Sequence, residues 1–360
     1  MREAIGFAQD YRYLPPSFIS VAFVRRGGDA ERACYHGKQS RPAMPLATFA
    51  LLRALADGRP HAAAELAEAA NLPPDMLAPA LADLGAMGLA FEACAGSIRL
   101  AEPIELLDAA RIRAAADLPP VEVLSECTST NGVAADRATH GASNGTTVAC
   151  EIQTAGRGRR GSTWLAPPGS SLAFSTLWRF DPLSPSLGGL SLAIGVAVSR
   201  GLERIGARGI GLKWPNDLLH DGRKLGGILV EVVHGTDSTA VIGIGLNVRG
   251  GSALRARIGQ PITDLAAAGV SAGRNEILAA VLSSLAPALH EFAAHGFAPF
   301  HDDWMRRHAH QGAQVRVLPA VGATVEGRAI GVAEDGAFLV ETGRGVERFL
   351  SGEVSVRAAA

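Results

Sequence analysis

The sequence predicts an α+β fold in three parts: an N-terminal winged helix-turn-helix, a central mixed sheet with packed helices, and a small C-terminal β-barrel. Residues 44–102 show three helical stretches followed by a hairpin pattern. From about 103 to 310, β-like and helical stretches alternate. Residues 312–358 show short strands separated by glycine turns. We therefore divide the chain into 1–43, 44–105, 106–310 and 311–358, the first being an extension expected to be poorly ordered.

Length and composition exclude several classes of protein. The chain has 360 residues, 48% hydrophobic and 19% charged, which suits two or three packed domains and not a disordered chain. The formal net charge of −1 excludes a generally basic nucleic-acid coat. The four cysteines form no C-x-x-C pattern and fit neither a zinc ribbon nor a dense disulfide network. No signal pattern and no apolar run of ~18–20 residues is present, which predicts a cytoplasmic protein without a membrane segment.

The N-terminal part has the element order of a winged helix-turn-helix, whose third helix usually enters the major groove. The predicted elements are a helix over Leu46–Leu55, a short helix over 61–70, a third helix opened by Pro73-Pro74-Asp75, and a hairpin of 89–92 with 97–100.

The charge of this part argues against ordinary DNA binding. Over 44–102, three arginines stand against seven acidic residues, a net charge of −4. The third helix, over 73–88, contains no lysine or arginine. Phosphate contacts supply most non-specific affinity for DNA, and arginine is the commonest base-reading residue. We therefore expect this part to serve in docking or dimer support.

The central part predicts a mixed sheet with helices on one face. Neighbouring strands of hairpin type alternate with helices, which is typical of an α+β layer. Strands are expected over Thr146–Gln153, Leu172–Phe180, Ile228–Val233 and Thr239–Leu246, and helices over Gly188–Ile205 and 274–296.

The densest motif is Gln153-Thr154-Ala155-Gly156-Arg157-Gly158-Arg159-Arg160-Gly161. Its glycines match G-x-G-x-x-G, but the dinucleotide-binding fingerprint must open a helix. The segment that follows contains Pro167-Pro168 and cannot be helical. We therefore predict a glycine loop whose arginines bind carboxylate or phosphate oxygens when an anionic ligand arrives. A solvated run of charge is the alternative.

Two of the three lysines of the chain stand close together. Among 34 basic residues, the lysines are Lys38, Lys213 and Lys224. Lys213 ends the predicted strand Ile210–Leu212, where a compact ammonium can lie on a phosphate. The two glycines that follow Lys224-Leu225 allow a ligand to approach the backbone.

Two weaker patterns are not assigned a chemical role. Gly141–Gly145 matches G-x-S-x-G, but it precedes a strand, whereas the hydrolase elbow follows a strand and opens a helix. We predict a turn there. His308 and His310 are expected on the surface.

These motifs, in this order, closely resemble those of the biotin protein ligase family. The most specific part is the pairing of Gly-Arg-Gly-Arg-Arg-Gly with Lys-Trp-Pro-Asn-Asp. The resemblance covers roughly residues 44–358. The winged helix in front resembles the bifunctional bacterial type, which is both ligase and repressor of biotin synthesis, but the missing basic recognition helix argues against the second role as a DNA-binding repressor. The motifs that carry it are Thr128-Ser129-Thr130-Asn131, Gln153–Gly161 with Trp164, Lys213–Asp217, Lys224–Glu231, Gly243–Asn247 and Ser351–Arg357.

The resemblance implies that 106–310 is a catalytic domain that binds biotin and ATP, with the mixed sheet of class II tRNA synthetases and lipoate ligases. It implies an SH3-like barrel over 311–358. Biotin's carboxylate would attack the α-phosphate of Mg-ATP, giving biotinyl-5′-AMP and pyrophosphate, and a lysine amine of a carrier domain would then attack the mixed anhydride. ATP and biotin are thus substrates, with Mg²⁺ accompanying ATP. Preorganised cations should supply much of the catalysis.

Roles follow from the resemblance by matched position. Lys213 is expected between the carboxylate and the α-phosphate, with Arg157 and Arg159 in the loop that closes over the adenylate. Biotin is expected to contact Ser129, Thr130, Asn131, Gln153, Gly156, Arg157, Gly158, Arg159, Lys213, Gly226 and Gly227. ATP or the adenylate is expected to contact Arg160, Gly161, Trp164, Asn216, Lys224, Asn247 and Arg357, with Asn247 also near Mg²⁺.

The implied partner is the biotin carboxyl carrier protein of acetyl-CoA carboxylase, and the implied assembly is a homodimer. Two alternatives stay open. A lipoate–protein ligase has the same fold, although the loop together with Lys-Trp-Pro-Asn-Asp favours biotin. A non-catalytic biotin-sensing regulator would bind operator DNA in response to biotinyl-AMP, which the acidic N-terminal part disfavours.

Overall fold

The computed structural model describes residues 46–94, 96–115, 118–181, 186–233, 239–250, 259–319, 323–351 and 354–358. Contacts along the chain divide it into two compact units, the first ending at Leu106 and the second beginning at Leu107. The predicted extension 1–43 lies outside the described residues. The boundaries of the four predicted segments stay predictions.

Within its described residues, the first unit contains three α-helices and a small antiparallel sheet. The elements are α1 (Leu46–Leu55), β1 (His61–Ala62), α2 (Ala63–Ala69), α3 (Leu77–Ala86), β2 (Phe91–Cys94) and β3 (Ser97–Leu100), with strand order β1-β3-β2. Leu51, Leu55, Leu66 and Leu84 are buried, because helical spacing puts them on one stripe of each helix. The winged helix-turn-helix assignment stays a prediction.

The second unit is built on a seven-stranded mixed sheet with the order β4-β5-β6-β10-β9-β8-β7. β4 and β5 run parallel, and the other neighbouring pairs are antiparallel. The prediction of a central mixed sheet is therefore confirmed. The strands are β4 (Val121–Cys127), β5 (Thr147–Gln153), β6 (Ser171–Arg179), β7 (Ile210–Lys213), β8 (Asp217–His220), β9 (Arg223–Val232) and β10 (Thr239–Asn247).

Helices cover both faces of this sheet, so the prediction of helices on one face is wrong. The helices are α4 (Ala109–Ala114), α5 (Thr130–Thr139), α6 (Leu190–Arg204), α7 (Arg274–His295) and α8 (His301–Arg306). α6 and α7 pack in the main core, which includes Ala149 and Ile242. Ala134 of α5 packs with Val148 and Val241. Successive strand residues point to opposite faces, so α5 lies on the face opposite α6 and α7. The sequence of α5 has few apolar residues and therefore did not indicate a helix packed on that face.

α7 is long and apolar enough to cross a membrane by length and composition alone. Twelve of its 22 residues are buried, and it packs along α6. Its first residue, Arg274, pairs with the buried Glu151 of β5 at 2.8 Å and donates to the carbonyl of Ser171. Buried charges persist when they are paired and hydrogen-bonded. α7 is therefore a core helix of the second unit.

The C-terminal strands form a five-stranded antiparallel sheet that shares this core. Its strands are β11 (Gln314–Pro319), β12 (Val325–Val332), β13 (Phe338–Thr342), β14 (Gly345–Phe349) and β15 (Val354–Ala358), in the order β14-β13-β12-β11-β15. Phe338 stacks on Trp214 with ring centroids 5.1 Å apart. Trp214 Nε1 donates to the carbonyl of Gly336 at 3.1 Å. The SH3-like barrel assignment stays a prediction.

Candidate functional site

The lysine turn, residues 213–217, joins β7 to β8 and is held from several sides. Trp214 is buried against Phe338, and its peptide bond to Pro215 is cis. The Asn216 amide donates to the carbonyl of Ile228 at 2.7 Å, and the Asn216 carbonyl accepts from Ile228 N at 2.9 Å. Lys213 therefore ends its strand, as predicted, on a backbone that β9 and the C-terminal sheet both fix.

Lys213 and Lys224 share one carboxylate. Asp217 Oδ1 lies 2.7 Å from Lys224 Nζ, and Asp217 Oδ2 lies 3.8 Å from Lys213 Nζ. The side chains are largely buried, with exposed fractions of 25% for Lys213, 21% for Lys224 and 17% for Asp217. Burial lowers the pKa of Lys213, Asp217 opposes this, and the charges of Lys224 and Arg357 lower it further. Two ammonium groups with one carboxylate leave a positive centre suited to an anion.

The glycine–arginine loop, residues 156–164, folds back on itself. Trp164 N donates to Gly156 O at 2.9 Å, and Gly158 N donates to Ser162 O at 2.7 Å. The tip is a 3₁₀ turn over Arg159–Gly161, in which Arg160 has a φ of 55°. Residues 162–170 contain no helix. The glycines therefore do not open a helix, which confirms that the dinucleotide-binding interpretation does not apply.

The arginines of this loop have different surroundings. Arg159 donates to Asn216 Oδ1 at 3.3 Å and, through Nη2, to the carbonyl of Ser351. Burial and the charge of Arg160 lower the pKa of Arg159. Arg157 is exposed and lies 3.6 Å from Glu231, and Arg160 is exposed at the tip. Arg159 thus connects the loop to the lysine turn and to the segment between β14 and β15.

Ser129, Thr130 and Gln153 come together where β4 and β5 end. Ser129 and Thr130 are buried at the start of α5. Gln153 Oε1 accepts from Thr130 N at 2.9 Å and from the Thr130 hydroxyl at 3.3 Å. The Ser175 hydroxyl lies 2.7 Å from Thr130 Oγ1. This cluster offers neutral donors and acceptors, which suit an uncharged polar group such as a urea.

Asn131 is tied into the protein on both sides of its amide. Its Nδ2 donates to Glu231 Oε2 at 2.7 Å, and its Oδ1 accepts from the Ser175 hydroxyl at 2.6 Å. A Cβ at Gly243 would overlap Oδ1, so glycine in β10 makes room for this amide. The arrangement favours a linking role for Asn131 between α5, β6 and β9. Its direct contact with biotin stays a prediction.

Trp164 lies against β10 at Gly245, where a Cβ would overlap the indole ring. Its Nε1 is buried and has no hydrogen-bond partner among the residues that the structure describes. A Cβ at Gly226 would lie 2.6 Å from the carbonyl of Gly245, so Gly226 permits close strand packing. A Cβ at Gly227 would instead lie 3.6 Å from Lys224 Nζ and 3.7 Å from Asp217 Oδ1. Of the two glycines, Gly227 thus borders the charged cluster.

Asn247, at the end of β10, is buried with its amide turned inward. Its Nδ2 donates to the carbonyls of Thr263 at 3.0 Å and Lys224 at 3.3 Å. Both amide hydrogens are therefore used, which leaves Oδ1 for a ligand and suits a cation better than a phosphate. No cluster of three His, Cys, Asp or Glu side chains that could hold a metal ion occurs within the described ranges.

The prediction that His308 lies on the surface is wrong. His308 is 7% exposed, and its ring lies 4.7 Å from that of Trp304 and 5.8 Å from that of Phe338. Burial lowers its pKa. His310 is partly buried, and its surroundings lower its pKa to about 4. Segment 307–309 pairs with β7, a contact across almost one hundred residues that local periodicity does not reveal.

Sequence reasoning did not assign a site role to four residues that the structure brings to this region. They are Ser175, Asp217, Glu231 and His310. Asp217 and Glu231 lie inside quoted motifs, so their carboxyl groups next to the rare lysines were a usable signal. Ser175 lies within an apolar strand and His310 after a short helix, and nothing local marks either residue.

The matches to known proteins agree with this arrangement. Residues 124–247 match the Biotin/lipoate A/B protein ligase family. Residues 310–357 match the Biotin protein ligase C terminal domain. The first match includes the cluster of Ser129, Thr130 and Gln153, the glycine–arginine loop and the lysine turn. Fold and site together define a protein ligase of the biotin and lipoate type.

Individual relatives narrow this class. The chain is 34% identical over 313 residues to the bifunctional ligase/repressor BirA of Salmonella typhimurium, an alignment that covers 86% of this chain and 97% of that protein. It is 33% identical over 229 residues to the biotin–[acetyl-CoA-carboxylase] ligase of Mycobacterium tuberculosis, covering 62% and 84%. The biotin protein ligase from Aquifex aeolicus, solved in complex with biotin and ATP, has a TM-score of 0.60 at 30% identity and covers 67% of this chain and 99% of that chain. The chain belongs to the biotin protein ligase family.

Proposed function

We propose that this chain activates biotin with ATP to biotinyl-5′-AMP and transfers the biotinyl group to a lysine of biotin carboxyl carrier protein. The observation that carries this proposal is the pair Lys213 and Lys224 around Asp217, with Arg159 of the glycine–arginine loop reaching the same turn. The named relatives support it, since they are biotin ligases and one was solved with both substrates.

The first step must bring two anions together, the carboxylate of biotin and the α-phosphate of ATP. A carboxylate oxygen forms a bond to phosphorus, and pyrophosphate leaves. Lys213, at 3.8 Å from Asp217, is the more loosely held ammonium and can turn toward both anions. Lys224 Nζ lies 2.7 Å from Asp217 Oδ1 and would lie 3.6 Å from a Cβ added at Gly227. Lys224 therefore supplies a second fixed charge. Preorganised cations in a partly buried site stabilise charge that develops on oxygen.

The second step transfers the acyl group. The amine of the acceptor lysine attacks the carbonyl of the mixed anhydride, the amide forms, and AMP leaves as the anion. This step needs no covalent intermediate with the enzyme. It needs the adenylate to stay bound until the carrier arrives, and the loop with Arg159 and Trp164 would provide this retention.

The neutral cluster of Ser129, Thr130 and Gln153 would bind the ureido head of biotin. It lies at the ends of β4 and β5 and consists of hydroxyl and amide groups. A urea offers one carbonyl acceptor and two N–H donors, which such groups satisfy. Trp164 Nε1 has no hydrogen-bond partner among the described residues, so it would supply one further donor to the bound ligand.

Mg²⁺ would enter with ATP. Asn247 would contact the ion through Oδ1, because its Nδ2 already donates to two backbone carbonyls. Mg²⁺ usually keeps several waters and takes few protein ligands beside substrate phosphates, which fits a single amide oxygen. When bound, the ion neutralises phosphate charge, and Arg160 and Arg357 would add to that effect.

Three further features belong to this proposal. The acceptor would be the carrier subunit of acetyl-CoA carboxylase, the protein would work as a homodimer, and its location would be cytoplasmic. Lipoate is the less favoured substrate, because the C-terminal match is to a domain of biotin protein ligases.

Operator binding is a separate question, raised by relatives named ligase/repressor. The exposed residues of α3 include Ala78, Pro79, Ala82 and Asp83, and the helix has no basic side chain. We therefore propose that the first unit does not read DNA in the usual manner. A gel-shift titration of the operator region of the biotin genes, with and without biotinyl-AMP, tests this, and adenylate-dependent binding would contradict it.

The test of the main proposal is ATP–pyrophosphate exchange in Mg²⁺ with biotin, lipoate or no acid. Exchange that depends on biotin is the expected result. Exchange with lipoate alone would assign the chain to the sister activity. Absence of exchange with either acid would leave a sensor or a degenerate ligase as the better account.

A further inference from the structure

Asp217 stands between the two lysines of the proposed catalytic site. Its Oδ1 lies 2.7 Å from Lys224 Nζ and its Oδ2 lies 3.8 Å from Lys213 Nζ, so each oxygen faces one ammonium group. The backbone of β8 at Asp217 pairs with Lys213 of β7 on one side and with Gly227 of β9 on the other. The sheet therefore fixes the position of this carboxylate independently of the lysine side chains.

The proposed reaction brings an acylating agent to these lysines. Biotinyl-5′-AMP is a mixed anhydride, and in the second step a lysine amine of the carrier attacks it. The attacking amine must be neutral, because an ammonium group has no free electron pair. Lys213 and Lys224 are lysines too, so a neutral Nζ at either position would form an amide with biotin. A protein that reacted in this way would inactivate itself instead of modifying its carrier.

The chain offers few other amines to such a reagent. Of its 34 basic residues, three are lysines, at positions 38, 213 and 224. Lys38 lies outside the described residues, so Lys213 and Lys224 are the lysines of the part that the structure describes. The remaining basic residues are arginines, and a guanidinium does not lose its proton in proteins. Within the described residues, self-acylation of a lysine is therefore a question about the two lysines around Asp217.

The charges that act on Lys213 come from several elements. Burial lowers the pKa of Lys213, and the charges of Lys224 of β9 and Arg357 of β15 lower it further. His310, in the segment before β11, is affected by the charge of Lys213 in turn. Asp217 of β8 acts in the opposite direction and favours the ammonium form. Without Asp217, the remaining influences on Lys213 would favour the neutral amine.

A bound adenylate would balance these charges only in part. Pyrophosphate removes most of the negative charge of ATP when it leaves, and the phosphate of biotinyl-5′-AMP retains one negative charge. Lys213 and Lys224 then face this phosphate and the carboxylate of Asp217, so two positive and two negative charges cancel. If the carboxylate were removed, two ammonium groups would share a single negative charge, and one of them would lose its proton more readily.

We propose that Asp217 is a positioning residue that selects the amine for acyl transfer. It keeps Lys213 and Lys224 as ammonium ions while the adenylate is bound, so the lysine of the carrier is the amine that reacts. When the carboxylate is removed, a neutral Nζ attacks the anhydride carbonyl and an amide forms. AMP leaves with the electrons of the broken bond, and the amine proton goes to water. The proposal rests on the proposed function, since it assumes that the adenylate lies at the two lysines.

Peptide mass spectrometry of the full-length protein tests this. The wild type, Asp217→Asn and Asp217→Glu are incubated at pH 8 with saturating synthetic biotinyl-5′-AMP and without carrier. A lysine-containing bystander peptide reports the adenylate that reacts in solution. Asp217→Asn is expected to gain biotinyl groups at Lys213 or Lys224 at least about tenfold faster than the wild type, because a fall of one pKa unit makes the neutral amine about tenfold more abundant. Asp217→Glu keeps a carboxylate and should restore part of the protection.

Asp221→Asn is the matched control in the same hairpin. Asp221 is 69% exposed, and its φ of 50° is a conformation that asparagine tolerates. This variant should leave both lysines unmodified, as in the wild type. Modification in Asp217→Asn should also become faster as pH rises, because the neutral amine is the reacting form. Equal modification of Lys213 and Lys224 in Asp217→Asn and in the wild type would overturn the proposal.

A measurement on the wild type needs no variant that must fold. Lys213 and Lys224 are expected to stay unmodified while the bystander peptide is acylated, and faster acylation of either lysine than of the peptide would overturn the proposal.

Biotin-dependent pyrophosphate exchange and equilibrium binding of biotinyl-5′-AMP separate the two levels of inference. Normal exchange in the wild type, with bound adenylate but unmodified lysines in Asp217→Asn, refutes the role of Asp217 alone. Absence of both exchange and adenylate binding in the wild type refutes the ligase assignment and this proposal with it.

Discussion

The lysine turn and the glycine–arginine loop both present cations to one site, but they are held in different ways. The lysine turn has a buried tryptophan stacked on Phe338 and an asparagine bonded to β9. The glycine–arginine loop has a left-handed tip at Arg160 and two exposed arginines. The comparison teaches that the backbone of the lysine turn is anchored in the core, whereas the loop is held to that turn through Arg159 and has Arg157 and Arg160 at the surface. Under the proposed function, chemistry at the α-phosphate would depend on the lysine turn, and retention of the intermediate would depend on the glycine–arginine loop.

The largest effect is expected at the lysine turn. Lys213→Ala should reduce biotin-dependent pyrophosphate exchange by about 10²–10³-fold, because it removes a preorganised cation where charge develops. Arg344→Ala is the control, since Arg344 is 79% exposed and pairs with Glu347 on the C-terminal sheet. A Lys213→Ala protein that forms adenylate at the normal rate would break the comparison.

Arg159→Ala should act on retention more than on chemistry. The guanidinium bonds Asn216 and the Ser351 carbonyl, and hydrogen bonds to charged groups contribute about 1.5–3 kcal/mol. We expect pre-formed biotinyl-5′-AMP to dissociate about 10- to 100-fold faster in a stopped-flow chase. Exchange should change much less than in Lys213→Ala, and the reverse order of the two effects would contradict the division of roles.

The pKa of Lys213 gives a test by pH. Burial holds this pKa below the ordinary 10.5, and the charged form is the active one. The kcat/KM for ATP, which reports the free enzyme, should therefore fall about tenfold per pH unit above a pKa that lies below 10.5. Asp217→Asn removes the carboxylate that favours the ammonium, so it should move this alkaline limb to lower pH. A limb that stays in place would assign it to another group.

Gly245→Ala should displace the Trp164 side chain, which under the proposed function lies over the bound ligand. A Cβ there overlaps the indole ring, so the ring must shift, and we expect the KM for biotin to rise by up to about tenfold. Gly132→Ala is the control, because Gly132 in α5 has nothing within 4 Å of an added Cβ. Alanine in a helix is favoured over glycine by about 1 kcal/mol, so this control should leave the KM unchanged and raise the melting temperature slightly.

Local patterns predicted the parts of this site that depend on local chemistry. Pro167-Pro168 excluded a helix after the loop, and the apolar run 210–212 put Lys213 at a strand end. The mixed sheet was predicted from the alternation of segments with strand-like and helix-like hydrophobic spacing. These predictions needed only neighbouring residues, which is why the structure agrees with them.

Contacts between distant segments were beyond such reasoning. Burial of His308 comes from pairing of 307–309 with Leu212. Glycine at 243 and 245 is required because Asn131 and Trp164 lie against β10. α5 lies on the second face because Ala134 meets Val148 and Val241. Each depends on a register between elements that no local period encodes.

The smallest effect is expected at the outer edge of the loop. Arg157 and Glu231 lie 3.6 Å apart with 52% and 42% of their side chains exposed, and exposed ion pairs contribute about 0–1 kcal/mol. A double-mutant cycle of Arg157→Ala and Glu231→Gln, read by urea unfolding without ligand, should give a coupling energy below about 1 kcal/mol that shrinks in high salt. Glu231→Gln alone should cost more than Arg157→Ala, since Glu231 also accepts the Asn131 amide at 2.7 Å. A large coupling, insensitive to salt, would mean that the loop is fixed before any ligand binds, and the contrast with the lysine turn would no longer hold.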